Sequence, residues 1–554
     1  MNPPRVADAI VERLRAHGTR LVYSVAGESY LDVLDALYDA RASVRLVTCR
    51  HEAAAANMAE ATAKLTGRPG VALVTRGPGL THASIGIHTA QQDGTPMVLF
   101  VGEIPRADRY RRAFQEVNLA QTLGDLAKGV LQIDSPERAP ELVDRAFQLA
   151  LADRPGPVVV GLPEDVLGEP CATPVAAPAA PAVGGIDAPT IGLIVERLES
   201  AHRPLLWVGG SLWSQAGIDA LVRFAEHWEL PVVTSFRRKD HFPNHHPCYA
   251  GELGFGTSRE LAARIRDADL VLALGAALGD VETGSYQWLT RAAMRTRLIH
   301  VRADATTLSA VFPASLAVQA PPEAAALALA ATARHAGRSA PRWQEWTRST
   351  HLDQSALVAP VAVGGAVNLS EVFRTLRAAL PDEAIVTNGA GNYAAWLHRF
   401  FDHRAFHTQL APGSGAMGYG VPAALAAKLV HPGREVVAVA GDGCFLMASQ
   451  ELATAAALDL RVVFLVVNNS SYGTIRMHQE ARFPGRTLGT DLRNPDFLAL
   501  ARAYGLGAWR VTATAEFAPA LAAARAHAGP ALIELVTEVQ DIAPGRRLGA
   551  PGGA

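Results

Sequence analysis

The sequence predicts an α/β protein made of three doubly wound parallel-sheet domains. The length, 554 residues, fits three or four domains at about 150 residues each. Short apolar runs bounded by Gly or Pro recur along the chain and alternate with helical patterns. Such uninterrupted aliphatic runs belong to strands buried on both faces, the setting of a parallel sheet flanked by helices.

In order along the chain, GVALVT (70–75) and PMVLFVG (96–102) supply strands in the first block, with VRLVT just before residue 50. PLLWVGG (204–210), PVVTSF (231–236) and LVLALG (270–275) do so in the second, and EVVAVAGDG (435–443) and RVVFLVVNN (461–469) in the third. Between the first two blocks, LGEPCATPVAAPAAPAVGGIDA (167–188) is rich in Pro, Ala and Gly and reads as a semi-rigid linker. A softer break follows an Ala-rich helix expected from Glu323 to Ala333. The expected boundaries are 1–168, a linker at 169–188, 189–345 and 346–554.

Composition excludes several classes. Lys and Arg number 51 against 53 Asp and Glu, a net charge of -2, so no field favours nucleic acid or an anionic membrane. Cys49, Cys171, Cys248 and Cys444 are scattered, forming neither a disulfide framework nor a zinc spacing. Arg5, Glu12 and Arg13 rule out a signal-peptide core at the start. No apolar run reaches the roughly 18 residues of a membrane span. A cytoplasmic protein is expected.

The third block carries the most chemistry. One strand ends at Gly441–Asp442–Gly443, an amphipathic helix is expected from Phe445 to Leu458, and the next strand ends at Asn468–Asn469. A βαβ unit therefore sets Asp442 and Asn469 at the carboxyl ends of parallel strands, where open α/β sheets bind ligands. Gly443 and Cys444 offer N–H groups at a helix start, suited to phosphate. A carboxylate, an amide oxygen and a carbonyl at Ser471 suit a hard cation such as Mg²⁺. Each motif alone is an ordinary turn; paired at this spacing they indicate a Mg–diphosphate site.

GDG followed, after a helix and a strand, by NN resembles the thiamin diphosphate (ThDP) signature of the acetolactate synthase and pyruvate decarboxylase superfamily. The resemblance implies a domain order of pyrimidine-binding, middle and diphosphate-binding domains. It makes Asp442, Asn469 and the Ser471 carbonyl the metal ligands, with Gly443, Cys444 and Gly473 lining the diphosphate.

In the first block, RHEAAAANMAEATAKLTG (50–67) opens a helix, with Glu52 beside four alanines in an apolar setting that favours a protonated carboxyl. HEAAAA matches the family glutamate that hydrogen-bonds N1′ of the aminopyrimidine and relays its proton. His51 is assigned to structure. TRGPGLTHASIGIHTAQQDG resembles the family's GPG loop, Pro78 included, with His82 where the family usually has Asn. AFQE (113–116) matches acetolactate synthase-like enzymes and sets Phe114 and Gln115 beside the reacting carbon. Gly27–Glu28 replaces the synthases' double glycine, and RADRYRR (106–112) reads as a solvated face.

Further along, NGAGNYAAW (388–396) resembles the family's diphosphate loop, giving Asn392 and Tyr393 as phosphate contacts. In APGSGAMGYGVPAA (411–424) the resemblance assigns Met417 as the wedge that bends the cofactor and the Gly415 carbonyl as acceptor for its 4′-amino group. His478 stands where the synthases place tryptophan, and His88, with Gln91 and Gln92, is a second candidate for the pocket. GDVETGSYQW (279–288) departs from the FAD-carrying pattern, so FAD stays open and is not predicted.

Together the resemblance implies a ThDP- and Mg²⁺-dependent lyase or carboligase acting on 2-keto acids. It would work through a C2 carbanion and an enamine, in a homodimer or homotetramer with active sites between subunits. A non-oxidative decarboxylase, a flavin-dependent pyruvate oxidase and a catalytically weak ThDP-binding relative are the alternatives.

Overall fold

A computed structural model describes residues 4–172, 177–178, 184–211, 213–333 and 341–548. Among the described residues eighteen strands form three six-stranded sheets, every ladder between them parallel. The first contains β1 (Leu21–Ser24), β2 (Arg45–Thr48), β3 (Gly70–Val74), β4 (Met97–Glu103), β5 (Gly129–Gln132) and β6 (Pro157–Pro163), in the order β2-β1-β3-β4-β6-β5. The second contains β7 (Pro204–Val208), β8 (Val232–Thr234), β9 (Tyr249–Glu252), β10 (Leu270–Leu274), β11 (Leu298–Arg302) and β12 (Leu316–Gln319), in the order β12-β11-β10-β7-β8-β9. The third contains β13 (Ile385–Asn388), β14 (Gln409–Leu410), β15 (Val436–Gly441), β16 (Val463–Asn468), β17 (Gly507–Val511) and β18 (Ala531–Val536), in the order β14-β13-β15-β16-β18-β17. The doubly wound α/β class read from the apolar runs is the architecture found.

The middle sheet shows why those runs carry no polar alternation. Successive side chains of a strand point to opposite faces. Leu206 and Val208 of β7, with Leu272 and Leu274 of β10, enter one apolar cluster with Ile218, Leu221 and Phe224. Leu205 and Trp207, with Val271 and Ala273, enter another with Leu261, Ile265 and Met294. Helices cover both faces, so both residue sets must be apolar. Full burial of each Val or Leu contributes about 1.5–3 kcal/mol.

By their contacts the residues form two compact units. One comprises residues 1–181, 412–433 and 446–460; the other comprises 182–411, 434–445 and 461–554. Residues 173–176 and 179–183 of the expected linker, and 334–340 of the softer break, lie outside the described residues. The Ala-rich helix runs Pro322–Ala330.

One element differs from expectation. The single helix read from Phe445 to Leu458 is instead a short helix Asp442–Leu446, a 3₁₀ turn Ser449–Glu451 and a second helix Leu452–Ala457. Ala448 leaves helical geometry, at φ -140°, and makes the break. The buried carboxylate of Glu451, just beyond it, is committed to hydrogen bonds outside its own helix.

Candidate active site

Glu52 owes its position to the turn after β2. His51 is the N-cap of helix Glu52–Thr66, its Nδ1 accepting the Ala53 N–H at 3.1 Å. The Glu451 carboxylate accepts the Arg50 and His51 N–H groups at 2.9 and 3.0 Å and the Thr454 hydroxyl at 2.6 Å. Those bonds pin the first turn from below, although burial pushes the Glu451 carboxyl above the ordinary range. The Glu52 side chain, 12% exposed, reaches His82 on helix Gly77–Asp93, where Oε2 lies 2.9 Å from Nδ1. The His82 ring stacks on His51 with centroids 4.5 Å apart. The alanines beside Glu52 gave only half of its setting: its polar partner comes from the next helix.

The glycine loop closes on the same residue. The Gly77 N–H donates to the Gln115 carbonyl at 3.1 Å, and Gln115 holds a left-handed backbone at φ 63°. A Cβ on Gly77 would lie 2.9 Å from that carbonyl; one on Gly79 would lie 2.9 Å from Thr75 and 3.5 Å from Glu52 Oε1. Glycine at 79 keeps the space beside the carboxyl open, and glycine at 77 lets the loop approach the Gln115 carbonyl. Gln115 is thus joined to the loop by its main chain, while Phe114, 76% exposed, and Pro78 project to solvent.

His88 does not join this cluster. It lies about 120° around the helix from His82 and is half-buried. Gln91 is packed against Gly156 and Gln92 is exposed. Helical periodicity thus sets His88 on a different face of this helix from His82.

Glu28 folds onto a neighbouring cation. Arg76 bonds Glu28 at 2.7 Å and also Glu164, beside a cavity of about 490 Å³ lined by these residues with Ser29, Leu31, Asp32 and Leu167. RADRYRR is less free than a solvated face implies. Arg106 pairs with Asp165 at 2.9 Å and with Glu169, and Arg109 pairs with Asp134 at 2.6 Å.

The loop 411–419 is tied to the same unit. The Gly413 N–H donates to Asp93 at 2.8 Å, and the Tyr419 hydroxyl donates to Glu60 at 2.6 Å. Lys64 bridges Glu60 and Asp93 at 2.8 and 2.6 Å. Within this loop Gly415 is exposed with φ +71°, a conformation that favours glycine, and Met417 is half-buried.

The other unit gathers the C-terminal candidates at the ends of β15 and β16. Asp442 is buried directly after β15, its Oδ2 accepting from Asn494 Nδ2 at 2.7 Å. The same Asn494 amide donates to Asn468 at 3.0 Å, and Asn468 donates to the buried Glu534 at 2.7 Å. Burial pushes the Asp442 carboxyl upward, while hydrogen bonds from Asn494 and the N–H groups of Gly443, Ser470 and Ser471 pull it down. Asn469 Oδ1 accepts the Ser471 N–H at 3.1 Å, and the Ser471 carbonyl accepts the Gly473 N–H at 2.8 Å. A Cβ on Gly443 would lie 2.5 Å from Tyr472, and one on Gly473 would lie 3.2 Å from the Asn469 amide. Tyr393 turns its hydroxyl inward, 3.0 Å from the Gly389 N–H and 3.3 Å from Cys444 Sγ. Asn392 accepts from Thr474 at 2.9 Å. His478 is exposed on helix Gly473–Arg482.

Three family profiles match this chain in sequence. Residues 4–122 match the thiamine pyrophosphate enzyme N-terminal TPP binding domain, 191–329 the central domain and 389–535 the C-terminal TPP binding domain. The chain belongs to the thiamine pyrophosphate enzyme family. An acetolactate synthase large subunit of Parasynechococcus marenigrum is 33% identical over 541 residues, covering 96% of this chain and 87% of that protein. A probable acetolactate synthase large subunit of Methanocaldococcus jannaschii is 30% identical over 564 residues, 99% and 94% of the two chains. Acetolactate synthase isozyme 2 large subunit of Escherichia coli is 29% identical over 548 residues, 97% and 96%.

The chain is a thiamine pyrophosphate-dependent enzyme, and its residues fit that group on chemical grounds. Asp442, Asn469 and the Ser471 carbonyl present oxygens only, the preference of Mg²⁺. Asp442 is a buried carboxylate whose charge a cation would offset. Gly79 leaves room beside Glu52. Among the described residues no helix is long and apolar enough to cross a membrane.

Sequence reasoning missed three residues of this enzyme's two clusters. Glu451 holds the turn before Glu52 through the Arg50 and His51 N–H groups, 401 and 400 residues away, and Asn494 holds Asp442 from 52 residues away, with no local motif to mark them. His82 carried a signal, its departure from the family's Asn, but not its partner.

Proposed function

We propose that this enzyme is an acetolactate synthase-like carboligase that binds ThDP and Mg²⁺ and acts on 2-keto acids. The observation that carries the reading is the all-oxygen set of Asp442, Asn469 and Ser471, braced by Asn494 and set beside two glycines, Gly443 and Gly473, where a Cβ would press on Tyr472 and on the Asn469 amide. The names borne by the relatives favour the carboligase reaction over simple decarboxylation.

In this reading residues 1–168 bind the pyrimidine, 189–345 form the middle domain and 346–554 bind the diphosphate. The bound cofactor supplies a nucleophilic carbon and an electron sink for decarboxylation and carbon–carbon bond formation. Asp442, Asn469 and the Ser471 carbonyl hold Mg²⁺, while Gly443, Cys444, Asn392, Tyr393 and Gly473 line the diphosphate. Glu52 holds a proton at its carboxyl and passes it to and from the pyrimidine, an acid–base role of the kind that contributes about 10²–10⁴-fold. Gly415 and Met417 orient the cofactor, and Phe114 and Gln115 flank the substrate. His478 and His88 are assigned to substrate selection, in a homodimer or homotetramer.

The test uses purified full-length protein with ThDP, Mg²⁺ and pyruvate, following CO₂ release and product identity together. Acetolactate is the expected product. Bound ThDP without CO₂ release from pyruvate would overturn pyruvate as donor. Glu52→Gln should retain ThDP–Mg²⁺ binding and lose at least about 100-fold in turnover.

A further inference from the structure

We propose that His82 is a relay and positioning residue for Glu52, coupling that carboxyl to solvent through its imidazole. This deepens the proposed function and rests on Glu52 as the proton-carrying residue.

Geometry assigns the parts. One nitrogen or oxygen from each of His51, Glu52 and His82 lies within 4.8 Å of the others. Facing an ionised Glu52, His82 Nδ1 is the donor to Oε2, which leaves Oε1 toward the space kept by Gly79. The His82 side chain is 55% exposed, so Nε2 has access to water. His51 fixes the ring by stacking, and its own Nδ1 is occupied as acceptor of the Ala53 N–H, which requires a neutral imidazole. Burial and the neighbouring His82 both lower the His51 pKa, which keeps His51 in the neutral form that its acceptor role needs.

The other titratable groups here are held by burial or by fixed hydrogen bonds. Burial pushes the Tyr30 hydroxyl up to about 12 and holds the Cys49 thiol higher still. Glu451 is fixed by the Arg50 and His51 N–H groups, and the Arg50 charge acts on Glu451.

The transfer balances without a redox partner. As Glu52 is recharged, the His82 Nδ1–H bond breaks and an Oε2–H bond forms, while Nε2 takes a proton from hydronium or a buffer acid. The imidazole ends neutral in the other tautomer, and the reverse steps reset it. An Asn at position 82 could donate a hydrogen bond but could not carry a proton through.

Two experiments decide the proposal. In cofactor-free protein labelled at histidine Cε1, the His82 resonance, assigned with His82→Asn, is titrated by NMR in wild type and in Glu52→Gln. Loss of the facing carboxylate should lower the His82 midpoint by about one pH unit; an unchanged midpoint overturns the pairing. In ThDP-loaded protein, exchange of the thiazolium C2 proton with D₂O is followed by quenched NMR from pH 5.5 to 8. His82→Asn and His82→Gln should bind ThDP within threefold of wild type, slow exchange at least about tenfold, and lose the limb of the pH profile that shares His82's midpoint. Wild-type rate and profile in both variants would overturn the relay. If Glu52→Gln itself exchanges normally, the Glu52 reading fails; if only the His82 variants do, the relay alone fails.

Discussion

Lys64→Met tests what holds the 411–419 loop against the helix that begins at Glu52. The Lys64 ammonium lies 2.8 Å from Glu60 and 2.6 Å from Asp93, whose side chains are 0% and 3% exposed. Methionine keeps the aliphatic stem and deletes the charge. Removing one partner of a buried pair costs about 3–5 kcal/mol, because the remaining charge is desolvated and uncompensated. Glu60 keeps the Tyr419 and Thr95 hydroxyls at 2.6 and 2.8 Å, and Asp93 keeps the Gly413 N–H at 2.8 Å. Those bonds place the loss near the lower end, about 3 kcal/mol. For a domain of this size that corresponds to a fall in Tm of about 6–12 °C. Calorimetry gives the shift, and hydrogen exchange localises it to Glu52–Thr66 and the loop. The double variant Lys64→Met/Glu60→Gln, with one buried charge fewer, should recover part of the loss. A Tm shift below about 3 °C, or no recovery in the double variant, would refute the argument that Lys64 offsets two buried charges.

Burial holds the Glu103 carboxyl at about 7 against an ordinary 4.5, with Gln132 as its hydrogen-bond donor. The folded state therefore binds the extra proton, so its stability is greatest near the lower value and falls as pH rises from 4.5 to 7, by at most about 3 kcal/mol. Denaturant unfolding of Glu103→Gln should lack that slope; an unchanged slope would refute it. Asn494→Ala removes the 2.7 Å brace on Asp442 and should weaken Mg²⁺ affinity in the presence of ThDP by about 10–100-fold, measured by titration calorimetry. Gly86→Ala would put a Cβ 2.4 Å from that of Ala56. Prying the two helices apart should cost about 1–3 kcal/mol, read as a lower denaturation midpoint.

The strands were legible because the signal is local: a run such as LVLAL can satisfy a sheet covered on both faces and little else. Asp442 and Asn469 were legible for a related reason, since alternating strand and helix fixes which strand ends share an edge. Side-chain partners were not. Glu451 meets the Arg50 and His51 N–H groups across 401 and 400 residues, and nothing in MASQELA distinguishes it from a surface glutamate. The helix break at Ala448 was hidden for the opposite reason. Alanine is the strongest helix former, so local propensity argued for continuity where the chain leaves helical geometry. The place of His88, about 120° around its helix from His82, follows from helical spacing, whereas residue type alone does not give it.

Three glutamates of the first unit show how partners, rather than burial, separate structural from reactive acids. Glu60 faces an ammonium and two hydroxyls, so neutralising it would strand Lys64. Glu451 accepts two backbone N–H groups, donors that never change protonation. Glu52 is instead bonded to an imidazole, whose nitrogen can act as donor or acceptor according to the tautomer. A proton moving between Glu52 and His82 leaves each with a partner in either state, donor on one side and acceptor on the other. Of the three acids, Glu52 is therefore the one whose protonation can change without stranding a buried group, which is what a residue that repeatedly gives and takes a proton requires.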